Sequence, residues 1–196
     1  MRNLVVSEFL TLDGVMQAPG DANEDRAGGF KDGGWQLDYF DDAFGEFVMK
    51  GFANAGAFLL GRLTYSNFAA FWPNQPADDP VAGPMNATPK YVVSTTLSEP
   101  LPWQNSSLIR DDVAGAIRKL KAEDGKDIQV IGSGTLVQTL IGEGLVDEYQ
   151  LMVHPIVLGN GKRLFRDGLD RNRLELIEST ATTKGVLLLR YRPAAQ

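Results

Sequence analysis

Ile128–Leu140 reads IQVIGSGTLVQTL: four residues of strand character, then Gly132-Ser133-Gly134, then an amphipathic run. Gly132 and Gly134 lack a Cβ, so the backbone there can turn sharply and let a ligand approach closely. The run beginning at Thr135 would present free N–H groups and the positive end of its dipole, a natural seat for a phosphate. The plain alternative is a tight strand-to-helix turn that binds nothing. It is not the dinucleotide fingerprint, because the third glycine position holds Val137 and the turn lies far from a first βαβ unit.

Two further stretches share this chemistry. Gly61-Arg62 and Ser94-Thr95-Thr96 each close a short β-forming run with small, hydroxylated or cationic residues. Arg62 can hold a phosphate through a forked pair of N–H groups, while Ser94, Thr95 and Thr96 supply hydroxyls and amides. Thr64 is the expected N-cap of the next helix, which would aim a second dipole at the same place. The alternative for each is a surface arginine or a turn-closing hydroxyl. Jointly they suit a ligand with a pyrophosphate and one further phosphate, a description that fits NADPH.

The elements that must position these residues follow from hydrophobic period. Leu4–Leu12 is a near-continuous apolar run, the pattern of a strand buried on both faces, and it ends at Asp13-Gly14. Val15–Trp35, rich in glycine, is a loop of about twenty residues, a length typical of functional lids. Asp38–Asn54 is an expected helix with Phe40, Phe44, Phe47, Val48 and Phe52 on one face. Ala57–Leu60 and Lys90–Ser94 are short strands, separated by a helix bearing Tyr65, Phe68, Ala69 and Trp72 and by the proline-rich connection Pro73–Pro89. Phe71 and Trp72 are expected core. Asp111 or Asp112 caps a helix that runs to Asp124. Tyr149–Leu158, Leu174–Thr180 and Val186–Tyr191 are strands with no helix between them, expected to pair as antiparallel hairpins. The class is α/β, a mainly parallel sheet with an antiparallel C-terminal edge, which lines up the ends of the three site-bearing strands along one rim.

Composition bounds the partners. The 196 residues, 43% hydrophobic and 22% charged, fit one domain spanning 1–196. A net charge of −6 argues against a nucleic-acid or anionic-membrane partner. There are no cysteines, which excludes disulfides, thiolate nucleophiles and Cys-based metal centres, and the single histidine, His154, leaves no His-rich metal site. His154, mid-strand before Pro155, reads as a packed residue. The first residues, MRNLVVSEFL, are too short and too interrupted by Glu8 for a signal peptide, and no apolar run approaches ~20 residues, so a cytoplasmic enzyme or binding protein is expected.

The segments SEFLTLDGVMQAPG, FLLGRLTYSNFAAFW, YVVSTTL and VIGSGTLVQTLIGEGLVDEYQLMVHPIVLGNGKRLF resemble the dihydrofolate reductase-like superfamily. Within it they are most similar to the C-terminal reductase domain of the bifunctional riboflavin-biosynthesis deaminase/reductase. The resemblance implies the three-layer dihydrofolate reductase-like fold in a stand-alone member, with NADPH held by Gly61, Arg62, Thr64, Ser94, Thr95, Thr96, Gly132, Ser133, Gly134 and Thr135. It also implies a small heterocyclic or carbonyl-type substrate and a homodimer.

By motif, Asp13 and Gly14 carry over to the nicotinamide and substrate side, with Asp13 either a proton donor or a cap of the Gly14 turn. Gln17 and Trp35 are expected walls of the substrate site, Trp35 alternatively a lid anchor. Dihydrofolate reductases place an acid of the first long helix against the pterin, but Asp38, Asp41 and Asp42 offer no single match. The riboflavin reductases follow an Asp-Pro with a basic residue for the substrate's ribose phosphate. Here Asp79-Pro80 is followed by no basic residue before Lys90, which tells against a phosphoribosyl substrate. Dihydrofolate reduction and a non-catalytic NADP-binding role are the alternatives.

Overall fold

The computed structural model describes residues 1–76 and 78–195. Eight strands form one sheet: β1 (Leu4–Thr11), β2 (Ala55–Gly61), β3 (Lys90–Val93), β4 (Ser106–Ile109), β5 (Asp127–Ile131), β6 (Glu148–His154), β7 (Leu174–Ala181) and β8 (Leu187–Pro193). Their order is β4-β3-β2-β5-β1-β6-β8-β7. The first six are parallel, and β8 runs antiparallel to both β6 and β7.

The apolar runs behave as strands buried on both faces should. Leu4, Val6 and Leu10 of β1 pack with Ile128 and Val130 of β5 under α4 (Val113–Ala122) and α5 (Gly134–Gly142). On the opposite face, Phe58 and Leu60 of β2 meet α1 (Asp42–Asn54), α2 (Arg62–Phe71) and α3 (Ala82–Ala87) through Phe52, Tyr65, Phe68 and Met85. The result is three layers. Each fully buried aliphatic or Phe side chain contributes roughly 1.5–3 kcal/mol of hydrophobic stabilisation.

Three expectations need correction. The C-terminal strands pair antiparallel as expected, β7 with β8 as a hairpin, but β6 does not pair with β7: it runs parallel to β1, and β8 lies between β6 and β7. The strand β4 has only four half-buried or exposed residues, Ser106–Ile109, too few and too polar to show a period. The helix expected from Asp38 begins at Asp42; a separate short turn holds Leu37–Tyr39, and Phe40, between them, is 57% exposed rather than on the buried face.

Asp41 explains that break. Its carboxylate accepts from the Phe44 amide at 3.0 Å as N-cap of α1, and from the Thr183 hydroxyl and Lys184 amide at 2.7 and 3.1 Å. The Phe44 bond, then the Thr183 bond, pull its pKa down to about 2. The stability it contributes is therefore complete above its ordinary value of 3.8 and fades as pH falls toward about 2. Asp41→Ala is expected to lower the melting temperature at pH 7 and to flatten that acid-side loss, read from thermal melts across the window.

Candidate active site

Because β3, β2 and β5 are adjacent and parallel, their C-terminal ends share one rim. Two hydrogen bonds cross it. The Ser133 amide donates to Thr64 Oγ1 at 3.0 Å, and the Gly61 amide donates to Ser133 Oγ at 2.8 Å. Ser133 Oγ also donates to the Ile131 carbonyl at 2.9 Å. The starts of α2 and α5 are thereby stapled to each other.

The staple reassigns several hydroxyls. Thr64 is not the N-cap of α2, which is Gly61; its side chain instead holds the neighbouring turn. Ser133 is the N-cap residue of α5 in the left-handed conformation (φ 61°), yet its side chain makes no cap bond. Ser94 Oγ accepts from the Thr96 and Leu97 amides, both at 3.1 Å, so it shapes its own loop. The first intrahelical bond of α5 is Val137 N–H to the Ser133 carbonyl, so the amides of Gly134, Thr135 and Leu136 have no acceptor within the helix, and all three residues line the cavity that opens behind the rim. Gly132 is needed here on two counts: φ is 56°, and a Cβ would lie 3.0 Å from Thr64 Oγ1.

Behind this rim opens a cavity of about 1150 Å³ that contains every expected cofactor residue in its lining, from Gly61, Arg62 and Thr64 through Ser94, Thr95 and Thr96 to Gly132, Ser133, Gly134 and Thr135. It exceeds the ~300–1,000 Å³ of a single small-ligand site, which gives room for a cofactor and a second molecule. Arg62 and Arg166 stand at its edge, exposed and without an ion pair among the described residues. A pyrophosphate fits this set: three unspent amides, a helix start and two guanidinium groups.

The expected substrate residues divide. Gln17 lines the cavity, but its carboxamide is spent: Nε2 donates to the Asp25 and Ala27 carbonyls and Oε1 accepts from the Lys162 amide. Trp35 is a lid anchor and not a wall, 8% exposed, its indole N–H on the Gln17 carbonyl at 2.8 Å. It packs edge-on against His154, which is fully buried among Phe9, Trp35, Tyr39 and Phe44. Asp13 and Gly14 lie outside the lining. The Asp13 carboxylate accepts from the Thr11 hydroxyl at 2.6 Å and from the Leu158 and Gly159 amides, with Arg163 Nη2 at 3.4 Å. The Thr11 bond leads in holding its pKa at about 2, so Asp13 carries no proton near neutrality. It ties a loop, and the proton-donor expectation for it is withdrawn.

Other residues line the cavity unannounced. Ser7, Gln129 and Gln150 point from β1, β5 and β6 to the α1 side of the sheet, the register pairing Ser7 with Gln150 and Val5 with Gln129. Gln129 is 4% exposed, and α1 passes so close above it that a Cβ on Gly51 would lie 2.7 Å from its Nε2. Phe71, expected in the core, is 52% exposed and lines the cavity, whereas Trp72 packs half-buried against the core as expected and also lines the cavity. Among the described residues, six buried polar atoms have no partner: Glu8 Oε1, Gln36 Oε1, Trp72 Nε1 and Gln129 Oε1 belong to residues that line this cavity, and Ser106 Oγ and His154 Nε2 to residues that do not. The signal in the sequence was a Glu and a Gln inside otherwise apolar strands.

The family model for the RibD C-terminal domain matches residues 2–188. The chain belongs to that family. Bacillus subtilis YyaP is 29% identical over 196 residues, 97% of this chain and 94% of its own length. A protein from Shewanella sp. PV-4 ascribed to riboflavin biosynthesis superposes with a TM-score of 0.70 at 20% identity, covering 98% of this chain and 99% of that one. Acinetobacter baumannii RibD gives 0.66 at 16% identity, covering 99% of this chain and 58% of RibD. These likenesses establish the fold as that of the RibD reductase domain.

Within that family fold, the phosphoribose question sharpens. Asp79 of Asp79-Pro80 accepts from the Val81 and Ala82 amides at 2.8 Å each, and Lys90 is buried, donating to the Met85 and Asn86 carbonyls with its Nζ 4.2 Å from the Trp103 ring centroid. Burial pulls the Lys90 pKa down to about 8. Neither residue faces the cavity.

The staple makes a direct stability prediction. Thr64→Val should cost about 1 kcal/mol for the lost hydrogen bond. Gly132→Ala should cost about 1–3 kcal/mol for a left-handed alanine. Urea unfolding of both variants reads this, and wild-type stability in both would show that the turns are held by something else.

Proposed function

We propose that this chain is an NADPH-dependent reductase of a small ring compound carrying a C=N or carbonyl group. The observation that carries the reading is the stapled rim, where Gly134, Thr135 and Leu136 at the start of α5 share the lining of one cavity with Arg62 and Arg166, a cavity large enough for two molecules. The amides take the pyrophosphate and the guanidinium of Arg62 takes the additional phosphate that separates NADPH from NADH. When bound, the cofactor supplies a hydride; the protein's share is to align the two rings and exclude water. Phe9, Phe44 and Phe52 offer apolar walls, and Ser7, Gln129 and Gln150 a neutral floor of donors and acceptors.

The floor favours an uncharged ring edge over a phosphorylated one, and it weakens the dihydrofolate alternative. No acid of the first long helix lines the cavity among the described residues, and Asp41, at its start, is spent as a cap. A non-catalytic NADP-binding protein remains the second reading, and turnover separates the two. We also propose a homodimer through the C-terminal edge, supported by Leu176, Ile177 and Leu187, which are 51%, 42% and 41% exposed on β7 and β8. A monomer mass in light scattering would refute that part.

NADPH is expected to raise the melting temperature more than NADH does at equal concentration, since only ligand bound to the folded state stabilises it. Arg62→Ala should cut the NADPH preference by roughly tenfold, equivalent to about 1.4 kcal/mol. Equal shifts with the two cofactors in the wild type would overturn the NADPH assignment, and an unchanged preference in the variant would move the extra-phosphate site to Arg166. Oxidation of NADPH with a panel of pyrimidines, dihydropteridines and simple carbonyl compounds then tests turnover.

A further inference from the structure

Reduction of a C=N or C=O group needs a proton as well as a hydride, and Asp13 has none to give. The acids that line the cavity are Glu8, Asp21, Glu24 and Asp25. Asp21 is exposed on the lid. Asp25 is paired with Lys162 at 2.6 Å; burial pushes its pKa up, but the Lys162 bond, the Ala27 amide and the Lys162 charge outweigh it, and the group ends below the ordinary carboxylate value. Glu24 is half-buried, and burial raises its pKa as well, but its carboxylate is committed to the Gly20 amide at 2.8 Å, closing a loop of the lid.

Glu8 is different in kind. It sits on the interior strand β1 at 4% exposure, on the face it shares with Val6 and Leu10. Its carboxyl meets the Gly132 amide at the stapled turn, and Oε1 has no partner among the described residues. The charged groups around this cavity are Asp21, Glu24 and Asp25 from the lid, Arg62 from α2, and Lys162 and Arg166 from the segment after β6. Of the two helices over this face, α5 carries no ionisable side chain, and α4 carries Arg118, Lys119 and Lys121, which lie outside the cavity lining. Burial holds the Glu8 carboxyl well above the usual range; the Gly132 amide pulls it down by less, and the Glu24 charge adds to the rise. Such a carboxyl holds its proton to higher pH than an exposed glutamate does, and its unpartnered oxygen belongs to a residue that lines the cavity.

We propose that Glu8 is the catalytic acid, delivering its carboxyl proton to the heteroatom of a C=N or C=O group lodged beside the Gly132 turn. The assignment rests on the reductase reading above. As hydride from a reduced nicotinamide forms the new C–H bond, the π pair moves onto the substrate nitrogen or oxygen. The Glu8 O–H bond breaks and an N–H or O–H bond forms. The products are an amine or alcohol, oxidised nicotinamide and the Glu8 carboxylate, which the Gly132 amide stabilises until water at the cavity mouth returns the proton.

Isotope-edited infrared spectroscopy of the full chain, carboxyl-labelled at glutamate, reads the proton directly. A protonated-carboxyl band is expected at pH 7, with and without NADP bound, and it should vanish in Glu8→Gln. Ionised Glu8 at that pH overturns the proposal. The second measurement uses whichever panel compound the protein reduces. Glu8→Gln should lose roughly 100-fold or more in kcat while its NADPH melting shift stays at the wild-type value, with partial recovery in Glu8→Asp. Full turnover in a folded Glu8→Gln that still binds NADPH overturns the acid assignment alone, whereas a wild type with no NADPH shift overturns the reductase reading beneath it.

Discussion

Two reciprocal hydrogen bonds, Ser133 N–H to Thr64 Oγ1 and Gly61 N–H to Ser133 Oγ, are the constraint on which the rest of this molecule depends. They join residues about seventy positions apart in sequence, and they do so at the only height where β2 and β5 both give way to helices. They consume the hydroxyls of Thr64 and Ser133, so in the proposed reading anion recognition falls to backbone amides and guanidinium groups. That division has a physical logic. A hydroxyl can rotate away from a phosphate, whereas an amide locked at a helix start cannot, so the binding surface is preorganised before any ligand arrives.

A second set of ties builds the other wall. Asp13 grips the Leu158 and Gly159 amides, Gln17 holds the lid to Lys162, and Trp35 and Tyr39 close over His154. Burial lowers the pKa of His154, against the Leu10 and Met152 carbonyls that raise it, which suits a neutral ring packed among aromatics. The residues nearest the lid thus make structural bonds, and in the proposed reading the chemistry falls to polar groups rooted in the sheet itself. Strand-borne side chains have less freedom than loop-borne ones, which is an advantage for a site that must align two rings.

Much of this was legible in the sequence, for local reasons. Small and hydroxylated residues after β-forming runs marked Gly61-Arg62, Ser94–Thr96 and Gly132–Gly134, and the adjacency of β3, β2 and β5 turned three weak signals into one rim. What the sequence hid was non-local. The bond of Asp13 to Gly159 spans 146 positions, so a turn aspartate and an interloop clamp look alike in a linear reading. The insertion of β8 between β6 and β7 has no local signature, and β4 is too short for a period. Glu8 and Gln129 were visible only as interruptions of apolar runs; the register puts them on opposite faces of the sheet, Gln129 with Val5 on the α1 side and Glu8 with Val6 on the other, and both line the same cavity, which no linear reading shows.

The central claim is that the stapled rim is a pyrophosphate seat. A crystal structure of the protein grown with NADP tests it most directly. The account predicts pyrophosphate oxygens within hydrogen-bond distance of the Gly134, Thr135 and Leu136 amides, with the Thr64–Ser133 bond unbroken. A cofactor bound elsewhere on the molecule, or a staple that opens to release the Thr64 and Ser133 hydroxyls to the phosphate, would contradict it.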